Sequence, residues 1–366
     1  MTLRILGENM EQYCNNCMNP LEQDGRCRIC GNLAQTAVST PRCLEAGTIL
    51  LNRYLIGKVL GEGSFGITYI GRDLLLETVV AIKEYFPLNL VSRDVRSSGD
   101  HALYTLHGDP KSLYQKGLKQ FYNEAKILSR FQKLEGIVSV YNLFYENNTA
   151  YLVMEYVSGV TLKEYVKENG PVTGENMLFW IKPIIQSLVR VHEADIIHRD
   201  ISPDNLLLTE DKKLVLIDFG AARIAGKGIG QNHTILFKRG YTPEEQYLRH
   251  GKIGTWSDVY SLCATIYYML TGIVPNEAIE RMLYDRVVSL TDMPEIRLTI
   301  QQKEAIMQGM SVKLEQRVQD MKELYQKFYY REKDDVQHRI YQMINMGQHQ
   351  GQIQCQCRQV NEAKRK

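Results

Sequence analysis

Three glycines in the run Gly61-Glu62-Gly63-Ser64-Phe65-Gly66 stand between two strand-like stretches, IGKVL before them and ITYIG after them. A dinucleotide-binding turn with this glycine spacing is followed by a helix, whereas here β-branched and aromatic residues follow. The glycines therefore belong to a hairpin. Glycine lets a backbone approach its neighbours closely, so such a hairpin can lie as a flap over phosphates. Taken alone, the run also fits an ordinary Gly-rich hairpin.

The pattern around it changes along the chain. From Arg53 to about Tyr156, runs such as YLIGKVL, TVVAIKEYF and AYLVMEY are rich in Val, Ile and Tyr and are broken by turn residues, which predicts strands. One helix interrupts them near 113–131, where Phe121, Ala125, Leu128 and Phe131 recur at helical spacing. From Thr161 to about Tyr330 the spacing is mostly helical. This predicts an α+β fold of two lobes over 53–331, a β-rich lobe (53–156) and a helical one (157–331). Residues 10–33 form a separate Cys-rich module, 34–52 a linker, and 332–366 a polar, Gln-rich tail that is partly disordered.

Charged residues then recur in a fixed order. Lys83 closes the strand Val80-Ala81-Ile82-Lys83, where it could be a solvated edge residue or a cation for phosphate oxygens. His198-Arg199-Asp200 is followed by Asn205, five residues after the aspartate, and by Asp218-Phe219-Gly220. Phosphoryl transfer asks for positioning and charge neutralisation. Asp200 could accept a hydroxyl proton, and Asn205 and Asp218 offer hard oxygen ligands for Mg²⁺. Any one triplet could arise by chance; the ordered set could not plausibly do so.

Together these residues resemble the protein kinase superfamily over roughly 53–331. GEGSFGITYIGRD, VAIKEYFP and GYTPEEQY look like the bacterial, eukaryotic-like serine/threonine kinases. The resemblance implies ATP and Mg²⁺ as cofactors and protein hydroxyls as substrates. It makes Gly61, Gly63 and Gly66 the phosphate flap and Glu124 the helix partner of Lys83, with Glu84 and Glu135 as alternatives. Met154 becomes the gatekeeper, Glu155 and Val157 the hinge, and Ala81 and Leu207 the residues enclosing adenine. His198, Phe219 and Leu128 join a packed column between the lobes. Asp258 holds the catalytic-loop backbone, and Glu245 pairs with Arg317. Arg199 would receive a phosphate on the activation segment, with Thr234 as the acceptor.

The chain departs from that family at two places. HRDISPDN carries Ser202 where the family usually has a lysine near the γ-phosphate, and Lys238 stands where a threonine is usual, three before Tyr241. Losing a cation that stabilises the transition state costs a factor of about 10²–10³. An exchange would restore it, with Lys238 reaching across to supply the charge that Ser202 cannot; the alternative leaves Lys238 solvated. Glu124 lies 41 residues after Lys83, so the stretch 86–112 is an insertion.

Cys14-x₂-Cys17-x₉-Cys27-x₂-Cys30 gives two knuckles of two thiols each, the pattern of a zinc-ribbon site for structural Zn²⁺. The segment holds few apolar residues and would depend on the metal to fold. Partner docking and dimerisation are both open as its role. Cys43, Cys263, Cys355 and Cys357 carry no such pattern. Net charge is +2, which gives no general pull toward nucleic acid. The chain shows no membrane segment and no leader, so a cytoplasmic location is expected. A nucleotide-binding pseudokinase scaffold, recruiting partners through ribbon and tail, is the competing class, favoured by Ser202. A small-molecule kinase is the third.

Overall fold

The computed structural model describes residues 12–33, 42–63, 65–93, 101–106, 110–131, 134–218, 223–224, 237–248 and 250–330. Phe219 and Thr234 lie outside them, as does the tail from 331.

The strand-rich half folds as one antiparallel sheet. Its members are β1 (Ile49–Leu50), β2 (Tyr54–Gly63), β3 (Gly66–Asp73), β4 (Thr78–Tyr85), β7 (Val140–Glu146) and β8 (Thr149–Glu155), ordered β1-β2-β3-β4-β8-β7. The insertion contributes a separate hairpin, β5 (Val91–Arg93) with β6 (Leu103–Thr105). Alternation along β4 decides what faces the cleft. Val80 and Ile82 enter a core with Tyr54, Tyr69, Phe86 and Tyr151. Ala81 turns to the other side and packs with Val138 and Met154.

Glu84 also lies on the core side. It forms a fully buried ion pair with Arg93 of the inserted hairpin and accepts hydrogen bonds from the Tyr69 and Tyr151 hydroxyls at 2.9 and 2.7 Å. Three donors around one carboxylate offset the cost of burying its charge. The insertion is thus tied into the sheet. The helix expected near 113–131 is α1 (Pro110–Leu128), continued by a 3₁₀ turn at Ser129–Phe131. Tyr85 stacks on Tyr114 and tilts against Phe121, which pins α1 to β4.

In the second lobe, helices α2 (Leu162–Asn169), α3 (Gly174–Glu193), α4 (Glu244–Tyr247), α5 (Thr255–Thr271), α6 (Ala278–Leu283), α7 (Ile300–Gly309) and α8 (Met321–Tyr329) follow in order. Every residue of α5 from Ser257 to Leu270 is buried, polar Asp258 among them, because other elements of the lobe pack around this helix. Two small sheets lie against the cleft: β9 (Gly159–Thr161) with β11 (Leu206–Thr209) and β12 (Leu214–Leu216), and β10 (Ile196–Ile197) with β13 (Arg223–Ile224). They hold the loop 198–205 at the lobe boundary. Among the described residues, no helix is long and apolar enough to cross a membrane.

Candidate active site

Asp258, on buried α5, accepts the backbone N–H groups of His198 and Arg199 at 2.7 and 2.8 Å, and its Oδ2 lies 2.8 Å from His192 Nε2. Burial alone would raise this carboxyl, but His192 and the donated N–H groups hold it below the ordinary range. The backbone at Arg199 has φ of 69°, a left-handed conformation that costs a non-glycine residue energy and persists because the surrounding bonds hold it.

Asp200 follows directly on that turn. Asn205 Nδ2 donates both to the Asp200 carbonyl (2.7 Å) and to its Oδ2 (2.8 Å). Burial, with Asp218 beside it, raises the Asp200 carboxyl to about 6 against the pull of Lys238. His198 is fully buried, and its Nδ1 accepts the Asp200 N–H at 3.2 Å. Burial lowers its pKa to about 4, which keeps the ring neutral.

Lys238 completes the group. Its Nζ donates to Ser202 Oγ at 2.8 Å and lies 3.3 Å from Asp200 Oδ1. The stem is fixed at its base, because Lys238 N–H donates to Thr242 Oγ1 at 2.9 Å while its carbonyl accepts the Tyr241 and Thr242 N–H groups. Further along, Glu245 Oε1 meets Arg317 Nη1 at 2.7 Å in a buried pair that Ser257 Oγ also joins at 2.7 Å.

Opposite, Lys83 Nζ forms an ion pair with Asp218 Oδ1 at 2.6 Å. Glu124 lines the same cavity, together with Leu128, Met154 and Ile217. The lysine's ion pair is therefore with Asp218, while Glu124 shares the cavity wall. The alternative partner Glu84 faces the opposite side of β4, and the Glu135 carbonyl accepts from Ser187. Gly63 pairs with Gly66 across the β2–β3 turn, and a Cβ at Gly66 would stand 2.5 Å from the Glu84 carbonyl. Only glycine fits there. Gly61 pairs with Thr68 in the same hairpin.

The apolar wall expected from Ala81 and Leu207 has other members. Ala81 pairs with Met154 across β4–β8, and Val138, Tyr156, Val157, Val215 and Ile217 pack with them. Leu207 is half-buried and pairs with Val215. Glu155, at the end of β8, accepts the Ser139 N–H through its Oε2 and donates its own N–H to the Ser139 carbonyl. Val138 and Ile217 were missed in the sequence. Ile217 directly precedes Asp218, and that adjacency is the signal that could have found it.

The four module cysteines converge. Their Sγ atoms lie within 4.8 Å of one another, with Cys14–Cys30 at 3.5 Å and Cys17–Cys27 at 3.4 Å. Tetrahedral Zn²⁺ with 2.3 Å bonds sets its sulfurs roughly 3.8 Å apart, so the donor set fits that ion. Hydrogen bonds from Asn16, Asn32, Cys14 and Cys17 outweigh burial and bring the Cys30 thiol down to about 6, whereas burial pushes Cys17 up to about 12.

Comparison with known proteins gives a consistent family. The profile described as protein kinase domain matches residues 54–348. The serine/threonine-protein kinase PknL of Mycobacterium bovis is 31% identical over 240 residues, covering 63% of this chain and 54% of that protein. PrkC of Bacillus subtilis is 30% identical over 230 residues, covering 63% of this chain and 32% of its own. PknA of Nostoc is 35% identical over 237 residues, covering 63% and 39%. The chain thus spans about half the length of these relatives, or less. The solved structure "PpkA-294 apo form" superposes with a TM-score of 0.67 at 29% identity, over 78% of this chain and 99% of that one.

Proposed function

Since this chain belongs to the protein kinase domain family, we propose that it transfers the γ-phosphoryl group of Mg-ATP to serine or threonine hydroxyls of protein substrates. One observation carries the reading for this chain: Lys238 Nζ reaches Ser202 Oγ at 2.8 Å and Asp200 Oδ1 at 3.3 Å. On this reading Lys238 supplies the charge that Ser202 does not carry, and the two contacts support it.

The roles follow from charge and reach. Asp200 would accept the hydroxyl proton, oriented by Asn205 and kept anionic near neutral pH. Asn205 and Asp218 would hold Mg²⁺, which supplies charge neutralisation between the phosphates. Lys83 would neutralise the α- and β-phosphates, with Glu124 available on the same cavity wall. Lys238 would offset charge on the transferring group. Gly61, Gly63 and Gly66 would cover the phosphates, and Glu155 and Val157 would offer backbone groups to adenine. Arg199 would receive a phosphate on Thr234, an autophosphorylation site. Structural Zn²⁺ would occupy the four cysteines, and the ribbon would be a surface for a protein partner.

Ser202 favours a second reading, a nucleotide-binding scaffold without transfer. The test is incubation with γ-labelled ATP and generic protein substrates, followed by phosphoamino-acid analysis. Label on serine and threonine, absent from Asp200→Asn, supports the kinase; Mg-ATP binding without any label supports the scaffold.

A further inference from the structure

The glycine hairpin is not held by its own sheet alone. Strand β2 carries two register irregularities against β3, between Ile56 and Val59 and between Val59 and Gly61. A bulge takes backbone groups out of the ladder and leaves them to find other partners. Here Lys58 N–H donates to the carbonyl of Asn15, inside the first cysteine knuckle, at 2.7 Å.

Two further contacts join the same surfaces. Arg72 of β3 is buried; its Nη1 donates to the Met18 carbonyl at 3.1 Å, and its guanidinium lies 4.5 Å from the centre of the Tyr13 ring. Met18 is itself fully buried against Gly57, where a Cβ would overlap the Met18 methyl and stand 2.7 Å from the Asn15 carbonyl. Asn15 and Met18 sit within one residue of Cys14 and Cys17. The geometry of the metal ligands therefore fixes where these acceptors stand.

We propose that a zinc ion on Cys14, Cys17, Cys27 and Cys30 positions the glycine hairpin, so that metal occupancy sets affinity for Mg-ATP, with Arg72 and Met18 as the positioning residues. The coupling rests on the nucleotide-site reading above. Opening the knuckle removes acceptors from Lys58 N–H and from the buried Arg72 guanidinium, and a buried donor without a partner is costly. The bulge then has no reason to stay at 57–60. A one-residue slip of β2 would move Gly61 and Gly63 relative to Lys83, whose strand is paired to β3 along its whole length.

The experiment uses the full chain, with zinc loaded and after chelation. Nucleotide affinity is read by calorimetry with Mg-ATP, zinc content by a colorimetric release assay, and backbone protection of 54–63 by hydrogen exchange. Chelation should weaken Mg-ATP binding about tenfold, the worth of one or two lost hydrogen bonds, and should deprotect 54–63 without nucleotide present. Arg72→Met and Met18→Ala should keep one zinc per chain yet bind Mg-ATP as weakly as the chelated protein. Chelating them should change little more, and Arg72→Lys should recover part of the affinity. Equal affinities in the loaded and chelated forms overturn the proposal, as do losses from Arg72→Met and chelation that add in full. If neither form binds Mg-ATP but 54–63 still loses protection on chelation, the nucleotide-site reading has failed and the coupling to affinity falls with it.

Discussion

Lys238 Nζ and Ser202 Oγ are joined by a 2.8 Å hydrogen bond across 36 residues of chain. The serine is fully buried, and the lysine is anchored at its backbone by Thr242. The ammonium also lies 3.3 Å from Asp200 Oδ1. The proposed function assigns to Lys238 the charge that Ser202 does not carry.

Removing that charge should lower turnover more than affinity. Lys238→Met is expected to reduce kcat by about 10²–10³ with little change in KM for ATP, because the cation acts where charge develops. Lys252→Ala, in the same lobe, should leave kcat unchanged. The relocation Ser202→Lys with Lys238→Thr should recover part of the loss. Steady-state kinetics at saturating Mg-ATP measure all three.

Asp200 should set the acid limb of kcat/KM. Burial lifts its carboxyl to about 6, and it must be ionised to accept a proton, so activity should fall as pH drops through that range. Lys238 lowers this pKa, so Lys238→Met should shift the limb to higher pH. A pH profile in which the variant's limb stays fixed would separate the lysine from Asp200.

The buried Glu245–Arg317 pair should matter to stability when broken from one side. Either residue changed to Ala leaves a charge buried without its partner, which costs about 3–5 kcal/mol. Urea unfolding should show each single loss, and the double variant should lose less than the two losses together.

His198 should give a pH-dependent stability. Burial holds its folded pKa at about 4, below the ordinary 6.5, so the unfolded chain takes up the proton first. Its contribution is whole above about pH 6.5 and is lost progressively toward pH 4, up to roughly 3 kcal/mol. Asp258 is held low and titrates in the same direction, so the comparison must be made against His198→Phe. The unfolding free energy of that variant should fall less steeply between pH 6.5 and 4.

Much of this candidate site is legible in residue type and spacing alone. Asp200, Asn205 and Asp218 are polar residues at short, fixed spacings, and the cysteines declare themselves by pairs. Lys83 stands out in the sequence by its place at the end of a strand-like run, and in the structure its ion pair is with Asp218, which spacing alone could not show. What spacing could not show is contact between distant segments. Arg93 lies in an insertion with no motif, and its pairing with Glu84 depends on the β5–β6 hairpin folding back onto the sheet. The docking of Asn15 and Met18 on Lys58 and Arg72 likewise depends on bulges in β2 that no pattern of residue types announces. Val138 and Ile217 are apolar residues among many, and only the fold brings them to the cleft.

The most direct measurement is single-turnover transfer of labelled γ-phosphate to a protein substrate by the zinc-loaded chain, beside Asp200→Asn and Lys238→Met. The account predicts transfer by the wild type, almost none from Asp200→Asn, and slowed transfer from Lys238→Met despite unchanged ATP binding. Transfer of equal speed in all three, or Mg-ATP bound tightly by a wild type that moves no phosphate, would contradict it.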